Sequence, residues 1–280
     1  AHKYGAYMIV DGAQLAAHVP IQMCDPHNPN RNIDAIVFSG HKTYYPGSPG
    51  AVVARKDLLL SVEPEEVGGG MVRDVFVDNY VVKSSFPDRE EAGTPNIPGA
   101  IGLAVAVDIL DRIGMHFLFE EEDELIQLAL KKMKSIPDIR IYGETNTDFC
   151  KRVASISFNM KELDHGLTAA ILNDYFNIAV RNDCFCAHPY VKEMIMDDLM
   201  LGIEDVDMDD IADYVELKRG MVRASFGLYS TKEDVIALAD ALMEIATNKD
   251  KYTKQYQVDS HGNYIHTSFQ FAFTPFYPIK

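Results

Sequence analysis

The residues best suited to chemistry follow two short apolar runs near the start of the chain. The runs, residues 7–11 and 35–39, are rich in Val and Ile, and each breaks off into polar residues. Such runs predict strands buried on both faces of a parallel sheet, and ligands bind beyond the carboxyl ends of such strands. The polar residues expected to meet at that edge are Asp11, Gln14, Ser39, His41 and Lys42.

A lysine and an aspartate at one sheet edge suit pyridoxal 5'-phosphate. The Lys42 amine can hold the cofactor covalently, and the Asp11 carboxylate can keep the pyridine nitrogen protonated, so that the ring withdraws electrons. On composition alone a plainer interpretation is more common, in which Lys42 is a solvated strand-end lysine and Asp11 caps a helix. Further motifs decide between the two interpretations.

Three ordered motifs resemble the class V, fold-type-I pyridoxal-phosphate enzymes. They are V-D-G-A-Q at 10–14, I-V-F-S-G-H-K at 36–42 and R-E-E-A-G-T-P-N at 89–96. The branch that they resemble is that of the cysteine desulfurases and selenocysteine lyases, and the similarity extends from His2 to about Asn248. The resemblance implies an α/β fold, in which part of the mainly parallel large-domain sheet is joined to a smaller C-terminal α/β domain.

The resemblance also implies a domain organisation. Residues 1–110 would be the C-terminal part of the cofactor-binding large domain, and residues 111–250 the small α/β domain. Residues 251–280 form an aromatic-rich tail beyond the resemblance, which either packs on a partner or is a plain extension.

Local patterns predict the elements within these domains. The predicted strands span residues 7–11, 35–39, 51–55, 139–142, 153–158, 178–181 and 221–226. The predicted helices span residues 97–113, 117–134, 165–176 and a last one that runs to about Asn248. Ser230 and Glu233 have the spacing of a capping box at the start of that last helix.

The resemblance assigns cofactor contacts residue by residue. Asp11 would pair with the pyridinium nitrogen, and Gln14 would hydrogen-bond the ring hydroxyl. Ser39 and His41 would bind the phosphate. Thr94 would reach the phosphate of the other subunit's cofactor, although its turn serves equally well as the start signal of a helix.

The resemblance also implies that three residues act on the substrate. Lys42 would carry protons to and from it. Arg223, in M-V-R-A-S, matches the family arginine that clamps the amino-acid carboxylate with its planar donor fork. Cys186, in R-N-D-C-F-C-A-H-P, matches the thiol that takes sulfur from the substrate as a thiolate on a mobile loop. The alternatives are a surface arginine on a strand and a pair of buried, inert cysteines.

The surroundings of Cys186 depart from the family pattern. Its usual polar, glycine-containing neighbours are replaced by Asp183, Cys184 and Phe185. Arg223 follows Cys186 by 37 positions, which is longer than in familiar desulfurases, and the Met- and Asp-rich segment 190–220 fills the interval. Cys184, Cys186 and His188 would give a metal only three ligands within five positions, which is short of a tetrahedral site, so no metal is expected.

Composition bounds the partners and the compartment. A net charge of −16 over 280 residues argues against nucleic acid or an anionic membrane surface as a partner. No apolar run reaches membrane-spanning length. Four scattered cysteines do not form a disulfide scaffold, so a reducing cytoplasm is the expected location.

The chain therefore reads as the C-terminal part of a pyridoxal-phosphate enzyme that acts on an amino acid. The leading function is cysteine desulfurase or selenocysteine lyase, which gives alanine and an enzyme persulfide for a sulfur-acceptor protein. Alternatives are a class V aminotransferase or related lyase, and a non-catalytic fragment that binds no cofactor alone. The start at Ala1–Gly5 resembles the last turn of a helix, so an upstream segment or second chain is expected to complete the fold, as a dimer of the whole.

Overall fold

The computed structural model describes residues 1–203, 207, 211, 215 and 218–269 of the chain. The chain forms two compact units, residues 1–120 and residues 121–280. No helix in the described ranges combines the length and the apolar character needed to cross a membrane.

A three-stranded sheet forms the centre of the first unit. Strand β1 (Ile9–Asp11) pairs in parallel with β2 (Ala35–Ser39), and β2 pairs antiparallel with β3 (Gly50–Ala54). The predicted strand at 35–39 has the observed bounds, and those at 7–11 and 51–55 are found with small shifts. The order β1-β2-β3 leaves β1 at an edge.

The expected burial of this sheet on both faces is wrong for the unit as it stands. Val37 and Val52 face each other across β2 and β3, and their exposed fractions are 42% and 62%. Ile36, on the opposite side of β2, is buried. The Val37–Val52 face is therefore open to solvent, and Val53, which pairs with Ile36 on the other face, is 48% exposed as well.

The remaining elements of the first unit lie outside this sheet. They are helix α1 (Lys56–Leu60), the antiparallel strands β4 (Val72–Val75) and β5 (Tyr80–Val82), and helix α2 (Ile97–Ile113). Helix α2 has the predicted bounds. Its first turn is capped by the Asn96 side chain, which accepts from the Gly99 amide, and it ends at Gly114 with φ 97°.

Helix α2 exposes an apolar stripe at every fourth position, on one face of the helix. The apolar stripe consists of Ile97, Ile101, Val105 and Ile109, each about half exposed or more. Exposed apolar residues at such spacing mark a surface suited to contact with another element.

A four-stranded antiparallel sheet organises the second unit. Helix α3 (Met115–Met133) leads into it along the chain. The strands are β6 (Ile139–Ile141), β7 (Ser155–Met160), β8 (Arg181–Asp183) and β9 (Met221–Ser225), in the order β6-β7-β9-β8. The helices are α4 (His165–Phe176), α5 (His188–Ile203), α6 (Lys232–Thr247) and α7 (Lys249–Thr253).

The core of the second unit lies between this sheet and its helices. Every second residue of β7 is buried, namely Ile156, Phe158 and Met160, as expected for a strand with one face on the core. Buried side chains of α3, α4 and α6 belong to the same cluster, including Ile126, Ile171 and Leu242.

The strand predicted at 153–158 is found at Ser155–Met160, and two further predictions in this unit need correction. The strand predicted at 178–181 begins only at Arg181, because Asn177 ends α4 in the left-handed conformation and the Ile178 amide still donates to Leu172. The capping box of α6 is Thr231 with Asp234, one position later than predicted. The sequence pattern allowed both pairs, because Ser230 precedes Glu233 by three positions just as Thr231 precedes Asp234. Ser230 accepts from the Gly227 amide instead.

The aromatic tail packs on its own unit as far as Phe269. Strands β10 (Tyr256–Val258) and β11 (Tyr264–His266) form a hairpin against α4, where the Tyr256 hydroxyl donates to Asp174 over 2.9 Å. Tyr264 makes the equivalent bond to Asp164. Neither expectation for the tail anticipated this docking.

The expected insertion at 190–220 is only partly seen. Helix α5 occupies it as far as Ile203, and residues 204–206, 208–210, 212–214 and 216–217 lie outside the described residues.

Candidate functional site

Lys42 lies in a tight turn directly after β2, which we call the lysine turn (Gly40–Lys42, a 3-10 turn). A side chain at Gly40 would place its Cβ 1.9 Å from the Ser48 hydroxyl, so only glycine fits there. The buried Thr43 follows, and its hydroxyl donates to the Ser39 carbonyl over 3.2 Å. These contacts fix the backbone that carries Lys42, whose side chain is half-buried.

The parallel pairing brings Asp11 to the same sheet edge as the lysine turn. Asp11 is in register with Val37, two residues before the end of β2, and the Gly12 amide donates to the Val37 carbonyl over 2.7 Å. One Asp11 carboxylate oxygen accepts from the Ala13 amide at 2.9 Å, which holds the side chain at the strand end. Gln14 follows in the same turn and is exposed.

Thr94 lies in an exposed turn before α2, and Asn96 ties this turn to the loop after Lys42. The Asn96 amide group donates to the Gly47 carbonyl over 2.8 Å, while its oxygen caps α2. The Gly93 amide donates to Gly69 over 2.7 Å, so the glycine run 68–70 also contacts the turn. Sequence reasoning identified Asn96 only as a helix start, because the contact with Gly47 joins residues far apart in the chain.

This edge suits pyridoxal phosphate in its donor set. It carries an amine, a carboxylate, a hydroxyl and an imidazole on Lys42, Asp11, Ser39 and His41. The Ser48 hydroxyl, beside Gly40, is buried and has no hydrogen-bond partner in the part of the chain that the structure describes. A buried polar group without a partner is costly, so a water, a ligand or another chain segment is expected to satisfy it. The residues present fit the cofactor.

A second set of reactive residues lies in the second unit, on what we call the cysteine turn (Cys184–Ala187). The Ala187 amide donates to the Cys184 carbonyl over 2.7 Å, and Phe185 and Cys186 have φ values of 52° and 66°. Two successive positive φ values are typical of a type I′ turn. Cys186 is exposed there.

The two cysteines of this turn differ in their environments. Cys184 is buried, its thiol donates to the Arg219 carbonyl over 3.3 Å, and burial raises its pKa to about 11. It has the properties of an inert structural thiol, whereas Cys186 is open to solvent. In the described residues, no three His, Cys, Asp or Glu side chains gather as a metal site requires.

Arg223 occupies the middle of β9, between β7 and β8. It is in register with Ser157 on one side and with Arg181 on the other. Its guanidinium carbon lies 5.0 Å from the centroid of the Phe185 ring. Burial, and then the charge of Arg181, lower the pKa of Arg223.

Arg181 is a site residue that sequence reasoning missed. Its Nη2 lies 4.0 Å from the Cys186 sulfur, and its backbone pairs with that of Arg223. Like charges directly opposite each other in a sheet repel and are destabilising. An anion bound between Arg181 and Arg223 would relieve this repulsion, so the two arginines form a positive surface suited to an anion. The missed signal is the position of Arg181 five residues before Cys186, which becomes a contact only once the turn forms.

Comparison with known proteins finds a family and relatives to which the chain is similar. Residues 1–238 match the family model described as aminotransferase class-V. A cysteine desulfurase of Escherichia coli O139:H28 is 33% identical over 245 residues, which cover 88% of this chain and 52% of that protein.

Solved structures give the same result. The apo cysteine desulfurase of Thermococcus onnurineus NA1 matches with a TM-score of 0.70 at 30% identity, over 88% of this chain and 54% of that one. The cysteine desulfurase CsdA of Escherichia coli matches with a TM-score of 0.68 at 29% identity, over 91% and 53%. These structures support the fold-type-I α/β assignment over about half of their length, and the chain spans about half the length of the curated relatives it matches.

Proposed function

Because the chain belongs to the aminotransferase class-V family, a pyridoxal-phosphate-dependent family, we propose that it is the thiol- and lysine-bearing half of a cysteine desulfurase or selenocysteine lyase. One observation carries the proposal. An exposed cysteine, Cys186, lies on a hydrogen-bonded turn with its sulfur 4.0 Å from Nη2 of Arg181, and Arg181 is in register with Arg223 on the neighbouring strand. A thiol next to fixed positive charge suits attack on a carboxylate-bearing, sulfur-containing substrate.

The proposed roles of the chain's residues follow the family motif. Lys42 holds the cofactor and moves protons, Asp11 and Gln14 contact the ring, and a phosphate-binding group completes the site. The proposed phosphate-binding residues are Ser39, His41 and Thr94. When bound, pyridoxal phosphate withdraws electrons from the amino acid and so weakens its carbon–sulfur bond.

The substrate is proposed to meet groups of the second unit. Arg223 binds the carboxylate through its donor fork. The Cys186 thiolate forms a sulfur–sulfur bond with the substrate sulfur as the carbon–sulfur bond breaks. The carbon takes the electron pair and a proton and leaves as alanine. The persulfide on Cys186 then passes its outer sulfur to an acceptor protein.

We also propose that the active form contains the other half of the class V fold, on the same gene product or on a second chain, and that this whole forms a homodimer. The support is the open apolar surface of the first unit. It comprises the β1 edge, the Val37–Val52 face of the sheet and the apolar stripe of α2. Covering such a surface stabilises a protein by roughly 25 cal/mol per Å² of apolar area.

The decisive experiment compares two cysteine variants in the protein assembled with the proposed other half of the class V fold, which we call its complement. Cys186→Ser should keep the cofactor absorbance and lose both sulfide release from cysteine and the persulfide found by thiol-trapping mass spectrometry. Cys184→Ser is the matched control and should retain both. Unchanged sulfide release by Cys186→Ser would favour the class V aminotransferase or lyase alternative.

A second experiment tests the lysine. Borohydride reduction and peptide mapping of the same assembly should find a pyridoxyl group on Lys42, and Lys42→Ala should abolish the cofactor absorbance. A label on another lysine would contradict the assignment. Absence of any label would favour a non-catalytic subunit.

A further inference from the structure

Phe185 is held in an unusual conformation at the centre of the cysteine turn. Its φ of 52° lies in the left-handed region, which bulky side chains rarely adopt. Its partly buried side chain packs on a small apolar cluster that includes Cys184, Val191 and Met221. Backbone strain of this kind concentrates at functional sites, and the packing limits the positions that the ring can take.

The ring of Phe185 also contacts a charged group, the guanidinium of Arg223. The guanidinium carbon lies 5.0 Å from the ring centroid, which is within the range of a cation–π interaction. Arg223 Nε is buried and makes no hydrogen bond to any residue that the structure describes. The cationic neighbour Arg181 adds repulsion on the adjoining strand. Arg223 is thus partly desolvated, and the aromatic ring is its compensating neighbour.

We propose that Phe185 is a positioning residue for Arg223: its ring fixes the guanidinium and shields it from water, so that the donor fork is presented to the substrate carboxylate. This inference rests on the proposed function in assigning the carboxylate to Arg223. Because Phe185 and Cys186 are consecutive, the carboxylate clamp and the sulfur-accepting thiol are aligned by a single turn. Phe185 thereby replaces the polar, glycine-containing neighbours that the family resemblance led us to expect.

The first test needs neither cofactor nor turnover. In the full chain, the Nε–H resonance of Arg223, assigned with Arg223→Lys, should show a ring-current shift and slowed exchange with solvent. Phe185→Leu should remove the shift and speed the exchange severalfold, and Phe185→Tyr should retain both. Methyl resonances of Ile156, in the main core, report that each variant is folded. An unshifted, fast-exchanging Arg223 signal in the unaltered protein would overturn the proposal whatever the variants do.

The second test uses kinetics in the assembly with its complement. Phe185→Leu should raise KM for cysteine about tenfold with kcat within about threefold, the pattern for loss of ground-state and transition-state binding alike. Phe185→Tyr should stay near the unaltered enzyme. A lower KM in Phe185→Leu would mean that the ring obstructs the clamp, and would overturn the proposal. If the unaltered assembly has no desulfurase activity, the proposed function fails, while the resonance measurement still decides the role of Phe185.

Discussion

The two units of the chain differ in how completely they bury their apolar residues. In the second unit, buried side chains of β7, β9, α3, α4 and α6 form one continuous cluster. The first unit buries few apolar residues, namely Ala17, Ala35, Ile36, Met71, Leu103, Leu110 and Leu118. It leaves large apolar residues of its sheet and of α2 exposed, among them Ile9, Val52 and Ile101.

The two units also differ in the candidate site residues that they carry. The unit with the complete core carries Cys186 on a turn and Arg223 on a strand, and both elements pack on buried apolar residues. The unit with the open surface carries Lys42 and Asp11, on a sheet that exposes apolar residues such as Val37 and Val52. A precise cofactor site needs supporting residues around it, so we expect the first unit to depend on the proposed other half of the fold.

The largest predicted effect is a difference in unfolding free energy between variants of the two units. Phe158→Ala, in the second unit, should lower the free energy of unfolding by about 3–5 kcal/mol, because a fully buried ring leaves a cavity. Val52→Ala in the first unit removes an exposed side chain and should cost less than about 0.5 kcal/mol. Denaturant titrations of both variants measure the difference. Equal costs would mean that the first unit is packed as well as the second.

The cysteine turn should show a large difference in reactivity within the second unit. At pH 8 iodoacetamide should modify Cys186 at least about a hundredfold faster than Cys184, because only a thiolate reacts and Cys184 is buried. Since the raised pKa of about 11 keeps the Cys184 thiol protonated, its modification should stay slow until the pH approaches that value. Mass spectrometry of the labelled peptide checks the order, and modification of Cys184 first would contradict it.

A smaller effect is expected at the start of α6. Thr231→Ala should destabilise the second unit by about 1 kcal/mol, because the Asp234 amide loses its capping acceptor. Glu233→Ala, at the position that the sequence pattern favoured, should change stability by less than about 0.5 kcal/mol. Thermal unfolding of the two variants distinguishes the caps. A larger loss for Glu233→Ala would restore the original prediction.

The sequence predicted the elements better than their environments. Strand β2 and helix α2 have the predicted bounds, because an apolar run and a capped periodic pattern are local signals. The exposure of Val37 and Val52 could not be predicted, since an apolar pattern does not show which surfaces of a strand are covered. The tail hairpin was missed because its contacts with α4 are made by residues 80 or more positions apart.

The roles of the candidate site residues stay predictions, and they differ in how far residue type alone suggests them. Motifs gave Lys42 and Cys186, whose chemistry is evident from residue type. Arg181, Asn96 and Ser48 were missed, because each acquires a role only through a contact made by folding. Arg181 lies beside Cys186 across a turn, Asn96 bonds to Gly47 along 49 positions, and Ser48 is buried against Gly40.

Hydrogen exchange on the full chain without its complement tests the contrast between the units most directly. Amides of β7, β9 and α6 should exchange at least about a thousandfold more slowly than those of β1, β2 and α2. The first unit buries few apolar residues, so its local opening costs little free energy. Adding the complement should slow exchange in β1 and α2 and leave β7 unchanged. Equal protection in both units without the complement would contradict the account, because the first unit would then be complete by itself.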